Sequence, residues 1–174
     1  MRLKRFLLAG LLPVLAVMTL AQSHIKLAPE YRHWLDEDVR WIISPQELKQ
    51  FLQLPNDPAR DRFVMEFWER RNPTPGTKEN AFKTEHYRRL EFVNEHFAAK
   101  LPGWLTDRGR IYILHGAPDS ITAHAFSGHP GEIWIYRQLN GERNVSFRFV
   151  DQCACGDYRF IPDGTSRPAP LFER

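Results

Sequence analysis

Apolar residues recur at helical spacing through the first half of the chain and alternate through the second. Tyr31, Trp34, Leu35, Val39 and Ile42 fall three to four positions apart, which predicts an amphipathic helix over about 29–42. Ser44-Pro45-Gln46-Glu47 is a capping box with proline at the first helical position. The helix it opens, about 45–54, turns Leu48, Phe51 and Leu52 inward and stops at Pro55. Asp57-Pro58 repeats the signal for a third helix to about Arg71, with Phe63, Val64, Phe67 and Trp68 on its inner face. After the breaker-rich loop Asn72–Gly76, Thr77 is the expected cap of the longest helix, about 78–100, with Phe82, Tyr87, Leu90, Val93, Phe97 and Leu101 as its stripe.

Beyond Pro102-Gly103 the period changes. Arg110–Leu114 is apolar on both faces and reads as a central strand. Ala117–Gly131 reads as a loop. Glu132–Gln138 alternates, with Ile133, Ile135 and Leu139 on one face and Trp134 and Tyr136 on the other. Asn140-Gly141 is a hairpin turn, Val145–Val150 alternates again, and Tyr158–Ile161 is a short last strand. Helices followed by an antiparallel meander predict an α+β fold, with about four N-terminal helices packed on one face of a small sheet.

The N-terminus changes the charge count. Arg2, Lys4 and Arg5 precede an apolar run from Phe6 to Leu20, and small residues Thr19 and Ala21 precede Gln22-Ser23. This is the pattern of a signal peptide over residues 1–21, cleaved after Ala21, with an uncleaved anchor as the alternative. An exported, periplasmic or secreted protein is expected, with no membrane span after cleavage. No cysteine near the cleavage point offers a lipid anchor. The whole chain carries 24 basic and 21 acidic residues, and all three basic residues of the leader go with it, leaving charge balance. A phosphate-neutralising surface needs a positive surplus, so nucleic acid is not an expected partner. The remaining 153 residues suit one domain, expected over 22–162, with a frayed proline-rich tail over 163–174.

Candidate chemistry concentrates at Gly103-Trp104-Leu105-Thr106-Asp107-Arg108-Gly109-Arg110 and the following stretch to Asp119. Thr106 and Asp107 favour turns by bonding nearby N–H groups, and an Asp107–Arg pair would fix the corner. Two readings follow: a lock between helices and sheet, or a pocket lined by Trp104, Asp107, Arg110 and His115, with Asp119 in the next turn. A hydrolase or ligand-modifying enzyme using Asp107, His115 and Asp119 is the alternative to a non-catalytic binding domain. A Ser127–His–Asp119 triad is conceivable, but the Gly-x-Ser-x-Gly elbow is missing. Cys153-Ala154-Cys155 is the only thiol pair. A local disulfide is the leading reading. Its small ring favours easy reduction. Free thiols, a bond to a partner, and a metal site with His115, His124 or His129 are the others. Arg70, Arg71, Arg88 and Arg89 are a candidate anion cluster near the Asn72–Thr77 loop. Neither a Walker loop nor a dinucleotide fingerprint is present, and no cofactor or resident metal is implied.

The motif and its surroundings resemble the GWxTD domain family of bacterial proteins. The resemblance rests on Gly103, Trp104, Thr106, Asp107, Arg108, Gly109, Arg110, Gly116, Pro118 and Asp119. Phe67-Trp68-Glu69-Arg70-Arg71-Asn72-Pro73-Thr74-Pro75, Asn80–Phe82, Glu85–Arg89 and Glu132–Tyr136 extend it over about residues 30–160. The chain departs at Asn72 and Ala81, where the family more often shows Asp and Glu. The resemblance implies an exported protein and supplies no catalytic residues. The expected role is binding of a protein or other cell-envelope component, with Trp134 and Tyr136 as the contact patch if they prove exposed. The oligomeric state stays open.

Overall fold

The computed structural model describes residues 27–162. The leader reading over 1–21 and the tail reading over 163–174 lie outside that range. The architecture is α+β: helices first, then a four-stranded antiparallel sheet in the order β1-β2-β3-β4.

The capping signals set the helical half. Helix α1 (Pro29–His33) continues as a π turn over Trp34–Asp38. Ser44 opens α2 (Pro45–Leu52) with the full capping box, its hydroxyl accepting from Glu47 N–H and the Glu47 carboxylate from Ser44 N–H. Asn56, with Pro58 in the first turn, starts α3 (Asp57–Glu69). The long helix α4 spans Ala81–His96, shorter than its apolar stripe predicts. Its cap is Asn80, whose Oδ1 accepts from Lys83 N–H at 2.9 Å. Thr77 instead donates its hydroxyl to Thr74 and Glu79 carbonyls and closes the preceding loop.

Two elements depart from the sequence reading. The expected strand Arg110–Leu114 is helical, forming α5 (Asp107–His115), preceded by a short 3-10 turn at Gly103–Leu105. Thr106 caps it by accepting from Gly109 N–H at 3.0 Å, and Gly116 ends it at φ +79°. The cap and burial of Ile111, Tyr112 and Ile113 outweigh the strand preference of the Ile-Tyr-Ile run. The expected loop Ala117–Gly131 contains β1 (Ser120–Phe126), paired with β2 (His129–Leu139) from Ser120 opposite Ile135 to Phe126 opposite His129. The hairpin turn is Ser127-Gly128, both at positive φ. The Asn140-Gly141 turn, also at positive φ, joins β2 to β3 (Glu142–Val150), and β4 (Arg159–Ile161) closes the sheet.

Packing forms two cores. The first gathers Tyr31, Trp34, Leu35, Val39, Ile43, Phe51, Phe63, Phe67 and Trp68 from α1 to α3. The second joins Leu90 and Val93 of α4 and Ile111–Ile113 of α5 to Trp134, Tyr136, Phe147 and Phe149 of the sheet. Only α4 and α5 therefore cover the sheet. Tyr87 packs against both cores, and its hydroxyl donates to Asp38 Oδ2 at 2.9 Å. No helix among the described residues is long and apolar enough to cross a membrane.

Candidate functional site

The Gly103–Asp119 stretch sits where the two cores and the sheet meet. Gly103 lies against α4 so closely that a Cβ there would stand 1.8 Å from the Val93 carbonyl oxygen. A Cβ on Gly109 would stand 1.9 Å from the Gly103 oxygen. Both positions accept only glycine, because backbone meets backbone. Thr106 is buried and uses its hydroxyl twice, accepting from Gly109 N–H and donating to Gly103 O at 2.8 Å.

The remaining motif residues tie this corner outward. Trp104 N–H donates to Asn94 Oδ1 at 3.0 Å, and its carbonyl accepts from Trp41 Nε1 at 2.8 Å. Asp107 Oδ2 accepts from Phe160 N–H at 2.9 Å and so holds β4 against α5. The Asp–Arg lock takes another form: Arg108 bonds Glu132 of β2 at 3.1 Å. Its guanidinium lies 4.0 Å from the Tyr158 ring centroid and 4.8 Å from that of Phe97. Arg110 is buried over Trp41, its Nε without a hydrogen-bond partner, and burial pushes its pKa down.

His115 and Asp119 lie elsewhere. The His115 ring stacks on Phe147 at 5.8 Å, and burial, then Arg89 and Arg110, push its pKa down. Asp119 accepts from the backbone and side chain of Arg137 at 2.7 Å, which lowers its pKa. Asp107 and His115 occupy opposite ends of α5, about 12 Å apart along its axis, so they do not converge on one substrate atom. Ser127 and Asp119 flank opposite ends of β1, separated by more than about 20 Å, so no triad forms.

Three further expectations change. Trp134 is fully buried and Tyr136 is 3 % exposed, which removes them as a contact patch. Alternation places them correctly on one face, but α4 and α5 cover that face. The four arginines separate into two pairs, each gathered on one carboxylate, and do not converge on one anion site. Arg70 and Arg71 bond Glu47, while Arg88 and Arg89 bond Glu85. Cys153 and Cys155 are joined as a disulfide. The histidines stand apart from them: the one metal-capable grouping among the described residues is Asp151, Cys153 and Cys155.

The surface beside the motif carries what sequence reading missed. The indoles of Trp41 and Trp104 are both half-buried. The Arg40 guanidinium lies 5.4 Å from one ring centroid and 5.8 Å from the other. Next to them, Trp104, Pro29, Arg32, His33, Asp36 and Glu37 line an open depression of about 310 Å³. Its floor is the end of α1 and the π turn, an irregularity often found at functional sites. Sequence spacing gave only the helix there, since a π turn has no simple residue signature.

With glycine, threonine and aspartate of the motif each accounted for, the comparison with known families is direct: the GWxTD domain model matches residues 19–159. The chain belongs to the GWxTD domain family. No curated protein and no solved structure matches it. In this GWxTD protein the signature builds a junction through its glycines, Thr106 and Asp107, and leaves one edge of Trp104 on the surface.

Proposed function

We propose that the chain is an exported, non-catalytic domain that binds a protein of the cell envelope through the face around Trp104, Trp41 and Arg40. The observation that carries this reading is the half-exposed indole pair under an arginine, fixed by the Trp41-to-Trp104 backbone bond. Tryptophan and arginine are the residues that most often dominate protein interfaces, and a rigid pair loses little entropy on binding. Arg32, Asp36 and Glu37 add a polar rim of mixed charge around the depression. A leader-like N-terminus supports export. The dispersal of Asp107, His115 and Asp119 favours binding over turnover.

Site-specific photo-crosslinking in the native host tests the proposal. A photoreactive residue at position 33 is expected to trap one envelope protein, and the same residue at exposed Met65 on α3 is not. Trp104→Ala and Arg40→Ala are expected to weaken the crosslink by about tenfold or more, in line with loss of an interface anchor. Circular dichroism of each variant checks that the fold persists. Equal crosslinking from both positions, or none from position 33, overturns the reading.

A further inference from the structure

The loop Asp151–Gly156 between β3 and β4 holds a site distinct from the Trp104 face. Asp151 is buried, and its carboxylate accepts from Cys155 N–H at 3.1 Å and Gly156 N–H at 2.6 Å. Burial works against its charge, but these bonds and those from the Cys153 and Ala154 N–H groups prevail and lower its pKa. Asp151 N–H in turn donates to Pro130 O of β2. The carboxylate thus holds the loop to itself, and the Asp151 backbone N–H pins it to the sheet, both independently of its sulfurs. Both cysteines are exposed on its outer side. Lys100 Nζ lies 3.9 Å from Cys153 Sγ, and Asp151 Oδ1 lies 3.2 Å from it.

From this arrangement we infer that the Cys153–Cys155 bridge is a thiol–disulfide exchange site that passes its disulfide to an accessible dithiol. Two residues of separation close a very small ring, and opening it costs the loop nothing, because Asp151 keeps the backbone in place in either state. Cys155 is the sulfur attacked, because its partner Cys153 lies beside the Lys100 ammonium, which favours Cys153 as the leaving thiolate. A substrate thiolate attacks Cys155 Sγ, the bridge breaks, and Cys153 leaves as a thiolate beside the Lys100 ammonium. Cys153 then takes a proton from water to become a thiol, whose S–H points a hydrogen bond at Asp151 Oδ1. The second substrate thiol gives its proton to water and, as a thiolate, attacks the substrate sulfur of the mixed disulfide; Cys155 leaves as a thiolate and takes a proton from water. Two electrons and two protons have moved: the substrate dithiol is oxidised to a disulfide and the Cys153–Cys155 pair is reduced to two thiols.

The test uses the whole oxidised chain and a fluorescent peptide carrying two cysteines. One peptide disulfide is expected to form per chain, with matching appearance of two maleimide-reactive thiols on Cys153 and Cys155. Cys153→Ala and Cys155→Ala are each expected to abolish the transfer while the circular dichroism spectrum stays unchanged. Lys100→Ala is expected to slow it several-fold, with Lys100→Arg restoring most of the rate. Incubation of the unaltered chain in a glutathione buffer, followed by maleimide mass shift, reads the same property without any substitution. Reduction within an hour supports the site. A bridge that stays closed for hours in that buffer, or peptide oxidation equally fast with the cysteine variants, overturns it.

Discussion

Glu47 shows how one side chain can serve several segments. Its Oε2 accepts from Ser44 N–H and completes the α2 cap, while Arg71 donates to both carboxylate oxygens and Arg70 to Oε1. Arg71 also reaches the carbonyls of Phe67 and Ile42, and its guanidinium lies 3.7 Å from the Phe67 ring centroid. Burial raises the Glu47 pKa, but the bonds from Arg71, Ser44 and Arg70 outweigh it and hold the carboxyl at about 2. The folded value lies below the unfolded one of 4.5, so the contribution is complete above that pH and is lost as the pH falls toward 2. Glu47→Gln is expected to cost about 2 kcal/mol at neutral pH, and the difference from the parent should shrink across that acid window. Urea unfolding at a series of pH values measures it, and a constant difference would count against the linkage. The capping role of Glu47 was legible from Ser44-Pro45-Gln46-Glu47 alone. Its arginine partners were not, because they lie more than twenty residues away.

Elements were legible where local chemistry and burial agreed. Proline marked the starts of α2 and α3, although the α3 cap is Asn56 and not Asp57, which is the first helical residue, and alternation marked β2 and β3. The reading failed at α5, a nine-residue helix rich in strand-forming residues. Thr106 looked like a turn residue, and its second role as helix cap depends on Gly109 standing three positions later. It failed again at β1, where Ser120–Ala125 are exposed and the alternation of Ile121, Ala123 and Ala125 is too weakly apolar to stand out among loop-forming neighbours. Gly109 supplies a prediction at this scale. Alanine in a helix interior is ordinarily better than glycine by about 1 kcal/mol. Here the added methyl would sit 1.9 Å from the Gly103 oxygen. Gly109→Ala is therefore expected to destabilise by more than about 2 kcal/mol despite the propensity gain. A neutral or stabilising result in urea unfolding would show that α5 and the Gly103 turn can move apart cheaply.

The whole molecule is two cores held together by a few bridging side chains. Sequence alone predicted one domain with about four helices packed on one face of the sheet. That layout was legible as α+β, but which helices touch the sheet depends on long-range packing that periodicity does not encode. Tyr87 is the clearest bridge, touching both cores and bonding Asp38. Tyr87→Ala is expected to cost about 2–4 kcal/mol and to loosen the coupling between the halves. Differential scanning calorimetry should then show a broadened transition, with a calorimetric enthalpy exceeding the van't Hoff value. A single sharp transition with equal enthalpies would show that Trp41 and the motif suffice to keep the halves cooperative.

The π turn at Trp34–Asp38 has a consequence for tracing ancestry. Such a turn is an ordinary helix that has absorbed one additional residue. A cousin shorter by a single position here could revert to regular winding with Tyr31 and Val39 still directed at the same neighbours. A one-residue gap at this point in an alignment then records a tolerated insertion, and the lineages on either side of it share the same scaffold.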